Sequence, residues 1–140
     1  MPDATLQCDV AIAGGGLAAC LIALALAERQ PQLDVRIVET GATLGGNHVW
    51  SFFDSDVAEA DRWLVAPLIV HHWPGYDVVF PKFSRSLTTG YNSITSARLD
   101  AHVRSVLAAD RIIRADVTEV TPERIILADA RAITASLVID

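Results

Sequence analysis

The sequence predicts an α/β domain built on a parallel sheet, and three observations carry that prediction. An apolar run ends in three glycines, Gly14 to Gly16. A long stretch of helix-forming residues follows, and a second β-rich run then ends in an acid, Glu39. A strand, a helix and a strand within about thirty residues form a βαβ unit, in which a right-handed crossover makes the strands parallel. The predicted fold class is therefore Rossmann-like.

The individual elements are predicted in chain order from their residue patterns. "CDVAIAG" (8–14) is a buried strand, a helix runs from Leu17 until Pro31 stops it, and "DVRIVE" (34–39) is the second strand. "LGGNHVWSFFDSD" (44–56) has neither a helical nor a strand period and is predicted as a loop. The later elements are a short helix at 56–66, strands at 68–73 and 76–80 around a Pro74-Gly75 turn, a helix at 93–109 capped by Ser96, and strands at 116–120, 124–128 and 132–140.

Composition limits the classes of function. The chain has 140 residues, enough for one domain, and its 51% hydrophobic content is enough for a core. The net charge of −6 gives no attraction to nucleic acid, so we predict no polyanion partner. Cys8 and Cys20 have no metal-ligand spacing, and we predict that both are buried free thiols in a reducing compartment.

Val10 to Ala27 is an uncharged run of eighteen residues, long enough to raise the possibility of a membrane span. Three glycines interrupt its middle, however, and Asp9 and Glu28 bracket it. A buried strand and a buried helix joined by a glycine turn explain the run better, and no secretory signal precedes it.

The glycine turn "GGGLAA" (14–19) fits the pattern G-x-G-x-x-G/A and predicts a dinucleotide site. Gly14 permits the tight turn, Gly16 lets a pyrophosphate approach the backbone, and Ala19 lets the helix pack closely on the strand. The N–H groups of Leu17 and Ala18, in the first helical turn, would hold the phosphate charge with the helix dipole behind them.

Glu39 strengthens this prediction because it lies twenty-three residues after Gly16, at the end of the next strand. An acid there accepts hydrogen bonds from both ribose hydroxyls of an adenosine and repels a 2′-phosphate. The adenine half is therefore predicted to belong to FAD or NAD rather than to NADP. The alternative is a tight turn and an unrelated glutamate.

The region after Glu39 resembles the glutathione-reductase-like flavoprotein superfamily. Its members carry a glycine pair after the ribose acid, here Gly45 and Gly46, which continues along the FAD. They also commonly place an arginine at the start of a later helix, facing the FAD pyrophosphate. Arg98 in "TSARL" is the matching candidate, and the alternative is that Arg98 is a solvated helix residue.

Three longer blocks resemble the bacterial lycopene β-cyclases of carotenoid synthesis: "LGGNHVWSFFDSD", "HHWPGYDVVFP" and "GYNSITSARLD". The resemblance covers essentially the whole chain and includes the first glycine turn. Members of that family are longer and continue from a "VID" strand, like that of Val138 to Asp140, into a further glycine-containing flavin loop. The chain is thus expected to be the N-terminal part (1–140) of an FAD-binding α/β domain, truncated before the substrate domain and the rest of the flavin site.

The resemblance implies an enzyme that converts the linear ends of lycopene into β-ionone rings with no net redox change. It implies reduced FAD as cofactor, NADPH as electron donor, a catalytic acid outside this chain, and a cytoplasmic location with peripheral association to the membrane. The isolated chain is expected to bind FAD poorly and to be inactive. The main alternative is an FAD-dependent monooxygenase or reductase acting on a hydrophobic substrate, and a third is a non-catalytic dinucleotide-binding module.

Several residues of the resembling blocks are candidates for the flavin end of the site. Asn47, His48 and Trp50 are placed where a polyene would meet the flavin ring, and an aromatic ring face stabilises a carbocation by ~0.5–2 kcal/mol. The alternative for Trp50, Phe52 and Phe53 is core packing under the loop.

The remaining polar residues have structural interpretations beside any functional one. Asp54 and Asp56 are either catalytic acids or a cap for the next helix. His71 and His72 are adjacent and point to opposite faces of a strand, and no metal site is predicted. Lys82 and Arg85 form either a solvated edge or a contact with anionic lipid headgroups. Asp77 and Asp100 are assigned no role. 

Overall fold

The computed structural model describes residues 5–140. Its helices are α1 (Leu17–Arg29), α2 (Arg62–Val65) and α3 (Ser96–Val106). Its strands are β1 (Thr5–Ala13), β2 (Val35–Glu39), β3 (Val49–Phe53), β4 (Ile69–Trp73), β5 (Tyr76–Phe80), β6 (Phe83–Leu87), β7 (Tyr91–Thr95), β8 (Ile112–Arg114), β9 (Val117–Thr121), β10 (Arg124–Leu127) and β11 (Ala132–Ile139). Short 3₁₀ turns at Asp54–Asp56, Glu59–Asp61, Ala66–Leu68 and Ala109–Arg111 connect some of them.

The main sheet has six strands in the order β8-β2-β1-β11-β10-β9. Strands β8, β2, β1 and β11 are parallel, whereas β10 and β9 continue the sheet antiparallel. Val10, Ala11 and Ile12 of β1 are all buried, as a strand covered on both faces requires. The predicted parallel βαβ unit and the α/β fold class are confirmed.

Helix α1 covers one face of this sheet and packs against α3. Cys20, Ala23 and Leu24 of α1 belong to the same buried cluster as Leu99 and Val103 of α3. The uncharged run 10–27 is divided between β1 and α1, as predicted. Among the helices within residues 5–140, none is long and apolar enough to cross a membrane.

A second, three-stranded sheet in the order β3-β7-β4 corrects the sequence prediction in two places. Residues 49–53 form β3, although the segment 44–56 was predicted as a loop. The helix predicted from residue 93 begins at Ser96, and its N-cap is Thr95 rather than Ser96, because Thr95 Oγ1 accepts a hydrogen bond from the amide of Arg98. Both differences arise because β7 pairs with β3 on one side and with β4 on the other.

Other differences concern short elements. The helix predicted at 56–66 is only the single turn α2, flanked by 3₁₀ turns. Strands β6 and β8 were not predicted, because each depends on one partner strand for its conformation. Strands β4 and β5, on the two sides of the Pro74-Gly75 turn, belong to different sheets, and β5 pairs with β6 in a separate hairpin.

Candidate functional site

The first glycine turn lies between β1 and α1 and has the backbone that its sequence predicts. Gly14 has φ +90°, a left-handed conformation that favours glycine. A Cβ at Gly15 would lie 2.5 Å from Leu44 Cδ2 and 3.0 Å from Glu39 Oε2, whereas a Cβ at Gly16 would meet nothing within 4 Å. Gly15 is therefore required by packing inside the protein, while Gly16 borders open space.

Helix α1 presents free donors at this turn. Gly16 is the N-cap, no side chain caps the helix, and the first turn holds no acidic residue. The first intrahelical hydrogen bond runs from the amide of Cys20 to the carbonyl of Gly16. The N–H groups of Leu17 and Ala18 precede it and so have no helical acceptor, which leaves them available to an anion.

Glu39, at the end of β2, lies directly beside the glycine turn. Its Oε2 accepts a hydrogen bond from the amide of Gly15 at 2.7 Å, and its Oε1 accepts one from the amide of Gly41 at 2.7 Å. A carboxylate oxygen has two lone pairs, so each oxygen retains acceptor capacity for a further donor. The structure thus places the predicted ribose acid at the predicted phosphate turn.

The second glycine loop is attached to the first. The amide of Gly45 donates to the carbonyl of Gly15 at 2.7 Å. Gly45 and Gly46 have φ values of +77° and +60°. A Cβ at Gly45 would lie 3.0 Å from Trp50 and 3.1 Å from Leu99, so this loop lies against the start of α3. Gly46, by contrast, is exposed.

Asp100 was assigned no role from sequence, and the structure shows one. Its Oδ1 accepts a hydrogen bond from the amide of Leu44 at 2.8 Å and pairs with Arg104 Nε at 2.9 Å. Leu44 is buried and immediately precedes the glycine pair. The sequence could not predict this contact, because Leu44 and Asp100 are far apart in the chain.

The two cysteines are free and buried, as predicted. Cys20 lies under the glycine turn, with its Sγ 3.6 Å from the carbonyl oxygen of Gly15. Burial, followed by the negative charges of Asp100 and Glu39, raises the pKa of the Cys20 thiol to about 12. Burial is also the main cause that raises the pKa of Cys8. Both groups are therefore uncharged packing residues at neutral pH.

The candidates for the flavin end follow the second glycine loop. The backbone of His48 is held to Ser96, because its carbonyl accepts from the Ser96 amide at 2.9 Å. The His48 and Trp50 rings are 5.6 Å apart. Asn47 and His48 are exposed, whereas Trp50 and Phe52 pack partly against the main core. Trp50 thus contacts both His48 in the exposed loop and the residues of the main core.

Arg98 lies in the first turn of α3 and is exposed. Its Nε donates to the carbonyl oxygen of Pro67 at 2.8 Å, which fixes the direction of the guanidinium group. The same helical turn contacts the Gly45 loop through Ser96. Arg98 is therefore exposed, but its guanidinium group is held in one direction by the Pro67 carbonyl.

Asp54 and Asp56 have separate partners. Asp56 Oδ2 accepts from the amide of Phe53 at 2.8 Å and so caps the 3₁₀ turn that follows β3. Asp54 Oδ1 instead accepts from Asn92 Nδ2 at 2.7 Å, and Asn92 Oδ1 lies 2.8 Å from His72 Nδ1. Asn92 is buried. The sequence did not predict the cluster of Asp54, His72 and Asn92, because its members lie at the ends of three different strands.

Most of the neighbouring residues of β4 to β6 are exposed. His71 stacks near Trp73 at 5.7 Å while His72 contacts Asn92, which confirms that the two histidines point to opposite faces. Lys82 and Arg85 are exposed on the β5–β6 hairpin. Asp77, without an assigned role, accepts a hydrogen bond from Ser86 Oγ.

Comparison with solved structures agrees with this architecture. A 2-methyl-3-hydroxypyridine-5-carboxylic acid oxygenase superposes with a TM-score of 0.68 at 21% identity, covering 96% of this chain and 38% of the oxygenase. The tryptophan 5-halogenase MibH superposes with a TM-score of 0.67 at 20% identity, covering 100% of this chain and 40% of the halogenase. The shared architecture is a Rossmann-like α/β fold, with the glycine turn between its first strand and first helix.

The chain belongs to the lycopene cyclase family, whose model, described as "Lycopene cyclase protein", matches residues 9–140. It is 42% identical to the lycopene beta-cyclase of Pseudescherichia vulneris and 39% identical to that of Pantoea ananas, each over 132 residues. These alignments cover 94% of this chain but only 34% and 35% of the two relatives. The chain therefore spans about a third of the length of the relatives that it matches.

Proposed function

We propose that the longer protein to which this chain belongs is a lycopene β-cyclase that uses reduced FAD, with NADPH as electron donor. The observation that carries the proposal is the family match over residues 9–140, which includes both glycine loops. The reaction closes the linear ends of lycopene into β-ionone rings without net redox change, so the enzyme is an intramolecular lyase or isomerase. Within it, this chain contributes the N-terminal part of the FAD-binding domain, and the substrate domain and remaining flavin contacts come from elsewhere.

The described residues fit the phosphate and ribose portions of FAD. A Cβ at Gly16 would enter open space beside the uncapped start of α1, and this space is where a pyrophosphate would sit. We assign the pyrophosphate to the amides of Gly16, Leu17 and Ala18, with Gly14 shaping the turn. Glu39 has a free lone pair on each carboxylate oxygen for the ribose hydroxyls.

The rest of the cofactor would follow the second glycine loop. We assign Gly46 and Asn47 to backbone and side-chain contacts along the flavin, because both are exposed beyond the attachment of Gly45 to Gly15. Arg98 is assigned to the pyrophosphate side through its terminal nitrogens, since its Nε is already used by Pro67.

The chemistry depends on stabilising a carbocation in a site that excludes water. Bound in its reduced form, FAD supplies negative charge close to the reacting carbons. His48 and Trp50 offer ring faces at the same end, and an aromatic face stabilises a nearby cation by ~0.5–2 kcal/mol. The acid that protonates lycopene is proposed to lie outside residues 1–140.

The second candidate function is an FAD-dependent monooxygenase or reductase of a hydrophobic substrate, because oxygenases share this fold. Expression of the full-length protein in a lycopene-accumulating bacterium, followed by mass analysis of the pigment, separates the two. A cyclase yields β-carotene, an isomer of lycopene with equal mass. An increase in mass by oxygen or hydrogen would identify the alternative, and unchanged lycopene would refute the cyclase proposal.

The variant Gly16→Val tests the proposed cofactor site. Its backbone angles, φ −75° and ψ −176°, are accessible to valine, and its Cβ meets no protein atom within 4 Å. We expect the variant to fold, to lose flavin absorbance after purification, and to leave lycopene unchanged. Full flavin occupancy in Gly16→Val would remove Gly16 from the pyrophosphate site.

We also propose that the protein associates peripherally with a membrane, where its substrate dissolves. The tip of the β5–β6 hairpin supports this proposal, because Val79, Phe80 and Phe83 are 73%, 61% and 58% exposed. Lys82 and Arg85 flank these apolar side chains and are themselves exposed. Apolar residues beside cations are the composition with which protein segments bind anionic lipid surfaces.

A further inference from the structure

The sheet of β3, β7 and β4 has one face packed on the core and one face that is open. Trp50, Phe52 and Ile94 point into the main core from the packed face. Side chains alternate along a strand, so the residues between these point the other way. The register aligns them in rows across the strands, which together we call the open face: Val49 beside Thr95, then Ser51, Ser93 and His71, then Phe53, Tyr91 and Trp73.

The open face is apolar for a surface that meets solvent. Val49 is 65% exposed and Trp73 is 45% exposed. Of the residues on the face, only the short Ser93 of the central strand is buried. None of them is Asp, Glu, Lys or Arg, although charged residues make up 20% of the chain. The solvent side of an antiparallel sheet is ordinarily polar, so an exposed apolar face of this kind marks a binding surface.

An aromatic row ends the open face on the side of the β5–β6 hairpin. The ring centroid of Tyr91 lies 5.2 Å from that of Phe53 and 5.9 Å from that of Trp73. Tyr76, the first residue of β5, adds a fourth ring at 5.3 Å from Phe53. The hairpin therefore begins at the aromatic row, and its strands connect that row to the exposed apolar tip.

The opposite end of the open face meets the second glycine loop. Gly46, Asn47, His48 and Val49 are consecutive exposed residues, so the surface proposed for the flavin continues directly into the face. From Val49 to Phe53 the strand β3 advances four residues, or about 13 Å. Two serines stand in the row between, and their short side chains leave room for an extended molecule to lie along the strands.

We propose that the open face binds the conjugated hydrocarbon chain of the substrate, with the reacting end at the second glycine loop and a more distant part on the aromatic row. This inference rests on the proposed function. Lycopene is long, uncharged and without hydrogen-bonding groups, so only apolar contact and dispersion recognise it. The aromatic rings supply large, flat contact area for such a chain. The hairpin tip, proposed above as the membrane contact, would place the aromatic row near the lipid in which lycopene dissolves.

Trp73 tests binding separately from turnover, because it is exposed and lies at the end of the face away from the glycine loop. Full-length protein with oxidised flavin is mixed with lycopene in detergent micelles, and the lycopene retained by the protein is measured by absorbance after gel filtration. We expect Trp73→Ser to raise the dissociation constant about tenfold. Trp73→Phe, which keeps an aromatic ring, should change it far less. Unchanged affinity in Trp73→Ser would overturn the proposal.

Sedimentation with anionic vesicles distinguishes binding of the polyene from binding of the membrane. Trp73→Ser should sediment with vesicles as the unmodified protein does, because the hairpin tip is intact. Loss of vesicle binding together with unchanged affinity for micellar lycopene would assign the aromatic row to the lipid surface, and the proposal would be wrong.

A charge placed in the middle of the face tests the same site during turnover. Ser51→Lys in the full-length enzyme should raise KM for lycopene about tenfold with kcat nearly unchanged, because substrate and transition state lose the same contact. Ser105→Lys, the same change at an exposed position of α3, is the matched control and should keep the KM of the unmodified enzyme.

The two lysine variants also separate the possible failures. Equal KM values in an active enzyme overturn this inference alone. A lower free energy of unfolding for Ser51→Lys with unchanged KM would show that another segment of the protein covers the face, which overturns it too. If Ser51→Lys does not fold, the two Trp73 variants decide. Unmodified protein that leaves lycopene unchanged refutes the proposed function as well.

Discussion

Glu39 connects two loops that are separate in the sequence. Its two carboxylate oxygens accept hydrogen bonds from the amides of Gly15 and Gly41 at 2.7 Å each. The same carboxylate is the proposed ribose ligand, so the shape of the turn and the binding of the sugar depend on one side chain. A hydrogen bond to a charged acceptor contributes about 1.5–3 kcal/mol, which makes this residue important to the fold before any ligand binds.

The glycines of the first turn are predicted to differ in their effects on stability. Gly15→Ala forces a methyl group to within 2.5 Å of Leu44 and should lower the free energy of unfolding by about 1–3 kcal/mol. Gly16→Ala places the same group in open space and should cost less than about 1 kcal/mol. Urea unfolding of the two variants measures the contrast. Equal losses would mean that the packing around Gly15 is not as described.

Cys20 predicts a dependence of stability on pH. Its pKa is raised in the folded state to about 12 from an ordinary value of 9.0, so the folded state holds its proton more tightly than the unfolded state. The resulting stability is present below about pH 9 and is lost as pH rises toward 12. Between pH 9 and pH 10.5 the unmodified chain should lose about 1–2 kcal/mol more than Cys20→Ala.

Urea unfolding at the two pH values measures this difference. Comparison with Cys20→Ala removes the contribution of other groups that titrate in the same range, and the cavity left by the substitution affects both pH values alike. Parallel losses in the two proteins would contradict the assigned burial of the thiol.

At the scale of elements, α3 holds the second glycine loop in place. Asp100 accepts the amide of buried Leu44, and Ser96 is bonded to the backbone of His48 on the other side of the loop. The amide of Gly45 in turn donates a hydrogen bond to the carbonyl of Gly15 in the first glycine turn. A helix distant in sequence therefore determines how the loop after β2 meets the loop after β1.

Asp100→Ala and Asp100→Asn separate this contact from the ion pair with Arg104. Alanine leaves the amide of Leu44 without its acceptor and should lower the free energy of unfolding by about 1–3 kcal/mol. Asparagine retains an acceptor oxygen and should lose only the partly exposed ion pair, about 0–1 kcal/mol. Urea unfolding and hydrogen exchange at Leu44 measure both. Equal costs would show that the ion pair, not the amide contact, matters.

At the scale of the whole molecule, one hairpin carries three of the exposed large apolar side chains. Val79, Phe80 and Phe83 of the β5–β6 tip are all more than half exposed. The hairpin pairs with no other strand within residues 5–140. Under the proposed membrane association, this cluster would be the contact surface, and Lys82 and Arg85 beside it would favour a negatively charged lipid surface.

The proposed membrane contact is tested by sedimentation of the full-length protein with vesicles that contain anionic lipid. Substituting Phe80→Ser and Phe83→Ser together should reduce the bound fraction severalfold, because burial of each aromatic side chain in lipid is lost. Val106→Ser, which removes an exposed apolar residue from α3, is the control and should bind normally. Unchanged binding of the double variant would exclude the hairpin as the contact.

Local patterns were sufficient for much of the fold and for the core of the site. A glycine turn between an apolar strand and a helix-forming run determined the βαβ unit, because turn, strand and helix preferences all lie within a few residues of one another. Glu39 was predicted to lie at the turn from its distance to Gly16 and its position at the end of the second strand, and its carboxylate does contact the amide of Gly15. The three blocks from 44 to 100 indicated the family, to which the chain belongs.

Only tertiary structure decided the contacts between distant segments. β3 forms by pairing with β7, and the same pairing keeps residues 93–95 in the strand, so α3 begins only at Ser96. The role of Asp100 and the cluster of Asp54, His72 and Asn92 arise where separate strands and helices meet. The physical reason is the sequence separation of the interacting groups. Turns and helical caps are formed by neighbours in the chain, whereas strand pairing and buried polar contacts depend on which distant groups the packed core brings together.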